Sequence, residues 1–273
     1  MTLTQTLLEG KRVLIIGGGG GGIGRAITNT IAQAGATLAV VDVDEERAQA
    51  AAKEAAEHGA SALGISGDIR QGDDIERMVS EARDGLGGID TLITVVGGLM
   101  AWRIPFHRLH EVADDEWDLI FDLNIRYVFR VLRPVLAIML DQGTGGSIVS
   151  VGSDAGTAGH GSPNTAAYGA AKSGLFHLAK TIATEYGPDG IRMNIVSPGP
   201  TKTLATDDMA PHIIEAMNAT IPLGHRGDPQ DIADAVFFFA SPMSAHVSGQ
   251  LIGVDGGLSV QRPMPDFSKL YKS

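Results

Sequence analysis

Six consecutive glycines, Gly17–Gly22, stand between an apolar run and a helical pattern. Glycine loses more backbone freedom on folding than any other residue, so such a run belongs where the backbone itself must pass close to a partner. "RVLIIG" (Arg12–Gly17) is short, apolar and rich in β-branched residues, which predicts a strand covered on both faces. Past the glycines, Ile23, Ala26, Ile27, Ile31 and Ala32 recur at helical spacing, and Gly35 suits the helix exit. "LAVVD" (Leu38–Asp42) predicts a second strand. Asp44 then suits the cap of a helix through "EERAQAAAKEAAEHG", with Glu45 and Glu46 at its positive end and Gly59 at its exit. Strand, glycine turn, helix and strand make a dinucleotide-binding unit, in which bare N–H groups and a helix N-terminus hold a pyrophosphate. Asp42 stands about 20 residues past the turn, where a carboxylate accepts hydrogen bonds from an adenosine ribose and repels a 2′-phosphate. This predicts NAD(H) preferred over NADP(H).

The remainder alternates in the same way. "ALGISGDI" (Ala62–Ile69), "DTLITVV" (Asp90–Val96), "GSIVSVGS" (Gly146–Ser153), "RMNIVSPG" (Arg192–Gly199) and "GQLIGVDGG" (Gly249–Gly257) are further strands with helical stretches between them. The expectation is an α/β chain, a single domain over 1–273, with a Rossmann-type doubly wound parallel sheet of about seven strands and helices on both faces. No second periodicity, Pro/Ser linker or compositional break marks a boundary. With 32 acidic against 21 basic residues the net charge is −11, which argues against nucleic acid or an anionic membrane as partner. The absence of cysteine excludes disulfides, thiolate nucleophiles and cysteine-ligated metals, and suits the cytoplasm. "MTLTQTLLEGKR" has no signal-peptide pattern, and no apolar run reaches the ~18 residues of a membrane span.

"YGAAK" sets Tyr168 and Lys172 four residues apart, so on a helix they share one face. A phenol with an ordinary pKa near ~10 is a poor base at neutral pH; an ammonium one turn away favours the phenolate and makes it a usable acid/base. Ser153, at a strand end, is placed to hydrogen-bond the same substrate oxygen.

At these residues the chain resembles the short-chain dehydrogenase/reductases, the Tyr-x-x-x-Lys family, from about Leu8 to Gly257. That family carries a Thr-Gly-x-x-x-Gly-x-Gly turn, an Asn-Asn-Ala-Gly strand end, a mid-chain Asn, a Ser before Tyr-x-x-x-Lys, a Pro-Gly turn and a near-terminal Asp-Gly-Gly. Here Gly18, Gly22 and Gly24 match the turn around Ile23, with Gly17 at the threonine position, and "LNIRYVF" supplies Asn124. "NIVSPGPTKT" supplies Asn194, Pro198, Gly199, Thr201 and Thr203. The resemblance implies cofactor contacts from those glycines and from Asp42, Asp68, Ile69 and Gly97, as well as Tyr168, Lys172 and the Pro198–Thr203 turn. It implies a catalytic set of Ser153, Tyr168, Lys172 and Asn124. Tyr168 takes the alcohol proton as hydride passes to nicotinamide, Ser153 orients the oxygen, Lys172 lowers the tyrosine pKa and binds the ribose, and Asn124 holds a water beside Lys172. "TVVG" (Thr94–Gly97) departs from Asn-Asn-Ala-Gly, and Ser153 lies 15 positions before Tyr168, slightly more than usual. Gly21 and Val43 stand where phosphate-preferring members carry basic residues, so both support NAD. A homotetramer, with the Tyr168 helix and the last strand at subunit contacts, is a further implication.

Two segments at the carboxyl edge of the sheet, about 97–117 and 200–226, read as substrate loops, with a short tail at 258–273. Leu99, Met100, Trp102, Ile104, Phe106, Leu204, Met209, Ile213, Ile214 and Met217 make them apolar. That set suits a hydrophobic or cyclic secondary alcohol or ketone, hydroxysteroid-like or terpenoid. A 3-oxoacyl-thioester reductase is the alternative, with Arg103, His107, Arg108 and Arg226 available to an acidic carrier; a non-catalytic NAD(H)-sensing protein is another. "HRLHE" lacks zinc-protease spacing, so no metal is expected, and "VGSDAG" with His160 does not form a hydrolase elbow.

Overall fold

The computed structural model describes residues 6–99, 107–158 and 165–261. Met100, Trp102, Arg103, Ile104, Phe106, His160 and the tail beyond 261 lie outside the described residues. Seven strands form one sheet of order β3-β2-β1-β4-β5-β6-β7, every pair parallel. They are β1 (Arg12–Ile16), β2 (Thr37–Asp42), β3 (Ala62–Ser66), β4 (Thr91–Thr94), β5 (Gly146–Val151), β6 (Ile191–Pro198) and β7 (Leu251–Val254). The fold is the single-domain doubly wound α/β architecture that the alternation predicts.

Strand periodicity explains why both faces are covered. In β1, Leu14 and Ile16 enter one core with helices α3 (Gly72–Leu86), α5 (Tyr127–Gln142) and α6 (Thr165–Glu185). Val13 and Ile15 point the other way, against α1 (Ile23–Gln33), α2 (Glu45–Glu57) and α9 (Pro229–Ala240). All four side chains are fully buried. Each such side chain contributes roughly 1.5–3 kcal/mol relative to exposure. Asp44 caps α2 by accepting from the Arg47 N–H at 3.0 Å. No helix among the described residues is long and apolar enough to cross a membrane.

The two carboxyl-edge segments are more ordered than loops. The first contains the start of α4 (Asp114–Phe121), and the second contains α7 (Leu204–Asp207) and α8 (Pro211–Thr220). Pro211 at the first helical position starts α8, a role its fixed φ suits. Strand order reverses between β1 and β4, so the cleft that carries the site opens at their carboxyl ends.

Candidate active site

The glycine turn is built for close approach. A Cβ at Gly24 would stand 2.2 Å from the Gly17 carbonyl oxygen, and one at Gly18 would stand 2.6 Å from Thr28 Oγ1. Gly22 takes the α1 cap position at φ +89°, beside Thr203. Neither a side-chain cap nor an acidic residue occupies the first turn of α1, so its N–H groups and positive dipole end are presented to the cleft. That arrangement fits a pyrophosphate.

An open cleft of about 460 Å³ runs from this turn across the sheet edge. Of the residues that the family resemblance offers for cofactor contact, Ile23, Gly24, Asp42, Asp68, Ile69, Gly97 and Thr203 line it. Gly18, Gly22, Tyr168, Lys172, Pro198, Gly199 and Thr201 do not. Gly18 packs inward on Ile15 and Val40, and a Cβ at Gly199 would stand 2.7 Å from Asp255 Cβ. Thr201 is buried and donates to the Gly199 carbonyl at 2.9 Å. Pro198–Thr201 thus shape the turn that delivers Thr203.

Sequence reasoning missed Arg47. Gly21 and Val43 bring no cation to Asp42, but Arg47, from the first turn of α2, reaches Asp42 Oδ1 at 2.6 Å through Nη2 and 3.1 Å through Nε. Both residues line the cleft. Strand-to-helix geometry, which is not a sequence spacing, makes this contact. Arg70 likewise lines the cleft and donates to both oxygens of Asp68, holding that carboxyl below its usual range.

The four catalytic candidates converge past Gly97. Asn124 sits fully buried in a π-helical turn, Asp122–Arg126, between α4 and α5. A π-turn re-aims one residue of a helix and is common at functional sites. Asn124 Oδ1 accepts from the Gly98 N–H at 3.0 Å, while Nδ2 donates to the Gly98 and Ile120 carbonyls. A Cβ at Gly97 would stand 2.6 Å from Asn124 Oδ1 and 2.8 Å from Lys172 Nζ. Only glycine at that point leaves both side chains in place.

Lys172 is buried and donates from Nζ to the Val151 carbonyl at 3.0 Å; burial lowers its pKa from 10.5 to about 8. Its Nζ lies 5.7 Å from the centre of the Tyr168 ring. Gly169 and Gly156 let α6 press against the turn after β5, since a Cβ at Gly169 would stand 2.8 Å from the Ala155 carbonyl. Tyr168 and Ser153 therefore share a hydrogen bond. Burial pushes the Tyr168 phenol above its ordinary value, the Ser153 bond pulls it back, and the Asp154 carboxylate raises it again. Burial is the largest of these influences on the phenol.

The departure at the end of β4 has its own packing. Thr94 Oγ1 donates to Ser150 Oγ at 2.7 Å, and the Val96 carbonyl accepts from Tyr127 at 2.8 Å. The Val96 side chain lies against Gly17, whose added Cβ would stand 2.6 Å from Val96 Cγ2. On the substrate side, His107 Nε2 lies 3.6 Å from Glu116 Oε1, and no group of three metal-ligating side chains occurs among the described residues. Arg226 is not a surface cation: it is buried, with its N–H on Asn218 Oδ1 and Nη1 on the Thr206 carbonyl.

A family profile described as enoyl-(acyl carrier protein) reductase matches residues 18–259. The chain is 34% identical to 2-(S)-hydroxypropyl-CoM dehydrogenase 3 of Xanthobacter autotrophicus, over 91% of this chain and 97% of that one. It is also 34% identical to a 3-oxoacyl-(acyl-carrier-protein) reductase of Thermotoga maritima, over 93% and 99%. A crystal structure of a short-chain type dehydrogenase/reductase from Mycobacterium marinum superposes with a TM-score of 0.85 at 31% identity, covering 93% of this chain and 97% of that one. The chain belongs to the short-chain dehydrogenase/reductase family. As a short-chain dehydrogenase/reductase it is an oxidoreductase of a family that uses nicotinamide cofactors.

Proposed function

We propose that this short-chain dehydrogenase/reductase interconverts a secondary alcohol and a ketone with NAD(H) in preference to NADP(H), acting on a hydrophobic or cyclic substrate, hydroxysteroid-like or terpenoid. The observation that carries the reading is the approach of Asn124 and Lys172 to Gly97 on the cleft wall, with Tyr168 beside Lys172 and Ser153 beside Tyr168. Bound nicotinamide supplies or accepts the hydride. Tyr168 holds the proton that leaves or reaches the substrate oxygen, and Ser153, hydrogen-bonded to it, orients that oxygen. Lys172, with a pKa of about 8, carries charge at neutral pH beside the phenol and stands against Gly97 at the cleft end. Asn124 fixes the backbone at Gly98 and positions that end of the cleft.

The apolar substrate rests on the second carboxyl-edge segment, where Met209 and Ile213 stand exposed although α8 has an apolar sequence. Acyl-thioester reduction is the second reading. It is favoured by resemblance to the Thermotoga reductase and to a (3R)-3-hydroxyacyl-CoA dehydrogenase of Canis lupus familiaris, 31% identical. The burial of Arg226 weakens it, because that cation is withdrawn from any carrier. Family resemblance supports a homotetramer, and the cysteine-free sequence suits the cytoplasm.

The test is to follow formation of reduced nicotinamide with steroid, terpenoid, aromatic, short-chain and 3-hydroxyacyl alcohols. Turnover confined to the bulky alcohols supports the first reading, and turnover confined to the hydroxyacyl group replaces it with the second. Tight NADH binding with no turnover of any class would favour a sensor.

A further inference from the structure

We propose that Arg47 is a specificity-determining residue of the cleft, offering its guanidinium to the 2′-phosphate of NADP(H), so that discrimination against the phosphorylated cofactor is weak. This rests on the reading of the cleft as a dinucleotide site. Asp42 is 7% exposed on the cleft wall. Standing alone there, its carboxylate would repel a phosphate on the adenosine ribose. It does not stand alone: Arg47 Nη2, Arg47 Nε and the Asp44 N–H all donate to Oδ1, at 2.6, 3.1 and 3.0 Å.

The two oxygens therefore have different tasks. Oδ2 faces the glycine turn, where a Cβ at Gly19 would stand 2.9 Å away, and is the oxygen left to a ribose hydroxyl. Oδ1 is the anchor of a cation whose side chain is itself half-exposed in the cleft. Arg47 is half-exposed although its partner Asp42 is buried, and a guanidinium grips a phosphate through paired charge-assisted hydrogen bonds. A phosphate can thus draw Arg47 toward itself, at the cost of leaving Asp42 with the Asp44 N–H alone. The opposing effects give a modest preference, not exclusion. Arg70, the other cation lining the cleft among the described residues, is held through both oxygens of Asp68 and is less free to answer a phosphate.

The experiment is a titration of NADH and NADPH by nicotinamide fluorescence, without substrate, on the wild-type enzyme, Arg47→Gln and Arg47→Lys. The wild type should bind NADPH within about tenfold of NADH. Arg47→Gln should weaken NADPH by about tenfold or more and NADH by less than about threefold, while Arg47→Lys, which keeps the charge, retains most of the NADPH affinity. Unchanged thermal melting of the variants separates these losses from misfolding. Wild-type discrimination beyond about a hundredfold, or equal loss of both cofactors in Arg47→Gln, overturns the inference and leaves the dinucleotide site standing. Failure of the wild type to bind either cofactor overturns that reading and the inference with it.

Discussion

The Ser153 hydroxyl donates its proton to Asp154 Oδ1 at 3.0 Å, and the same carboxylate oxygen accepts from the Ala155 N–H at 2.9 Å. Ser153 thus links the Tyr168 phenol to a buried carboxylate, and while the Ser153 contact lowers the phenol pKa, the Asp154 charge raises it. That carboxylate favours the neutral phenol and disfavours the phenolate.

Asp154→Asn follows from this arrangement. The groups facing Tyr168 are Asp154, from the turn after β5, and Lys172, from its own helix. Removing the negative charge lowers the pH at which the phenolate forms, and alcohol oxidation needs that form. The inflection in kcat against pH for oxidation should move to lower pH. An inflection that stays in place or moves upward would show that Asp154 does not act on the phenol.

Tyr168→Phe removes the proton carrier and keeps the ring. Turnover should fall by about 10²–10⁴-fold, with NADH binding changed little. Near-normal turnover in this variant would eliminate Tyr168 as the acid/base.

Lys172→Met tests a conflict between stability and function. The folded-state pKa of about 8 lies below the ordinary 10.5, so burial of the ammonium costs stability in full below about pH 8. Across the window from about 8 to 10.5 the folded protein sheds this proton first, and the cost fades as pH rises. At pH 7 the methionine variant should melt about 2–6 °C above wild type after allowing for the unpaired Val151 carbonyl, while losing activity. The gain should shrink in scans toward pH 10. A variant that melts below wild type at pH 7 would mean that the Val151 bond outweighs the buried charge.

Gly97→Ala tests the convergence point. The new Cβ meets both Asn124 Oδ1 and Lys172 Nζ at under 3 Å, so one or both must shift. Displacements of about an ångström cost as much as 10²-fold in rate, so kcat should fall by roughly 10–100-fold. Crystals of the variant should show which side chain moved. Full activity would mean that neither position matters to turnover.

Most of the fold was legible because strands covered on both faces and glycine-terminated helices leave local signals, as in Val13–Ile16 and at Gly35 and Gly59. The helix α8 was not, since its apolar residues are open to solvent and trace no buried stripe. Tyr168 and Lys172 were legible because one helix carries both. Asp154 as the acceptor of Ser153 and Arg47 as the partner of Asp42 were hidden, because each depends on how a turn or a helix start is aimed. The same reason hid the withdrawal of Arg226 into the interior: charge in the sequence does not reveal whether a backbone carbonyl waits beneath it.

Gly17 and Val96 stand far apart in the sequence, and each occupies a position where this chain differs from the usual family motif. Their side-chain positions share one volume, so the two exchanges are a single unit of inheritance for anyone moving pieces between relatives. Threonine placed at Gly17 alone would force a β-branched residue to φ +91° and drive its Cβ into Val96. Alanine at Val96 alone would leave a gap in the floor beneath the turn. A chimera that takes its glycine turn from one relative and its fourth strand from another will inherit that mismatch unless both positions travel together.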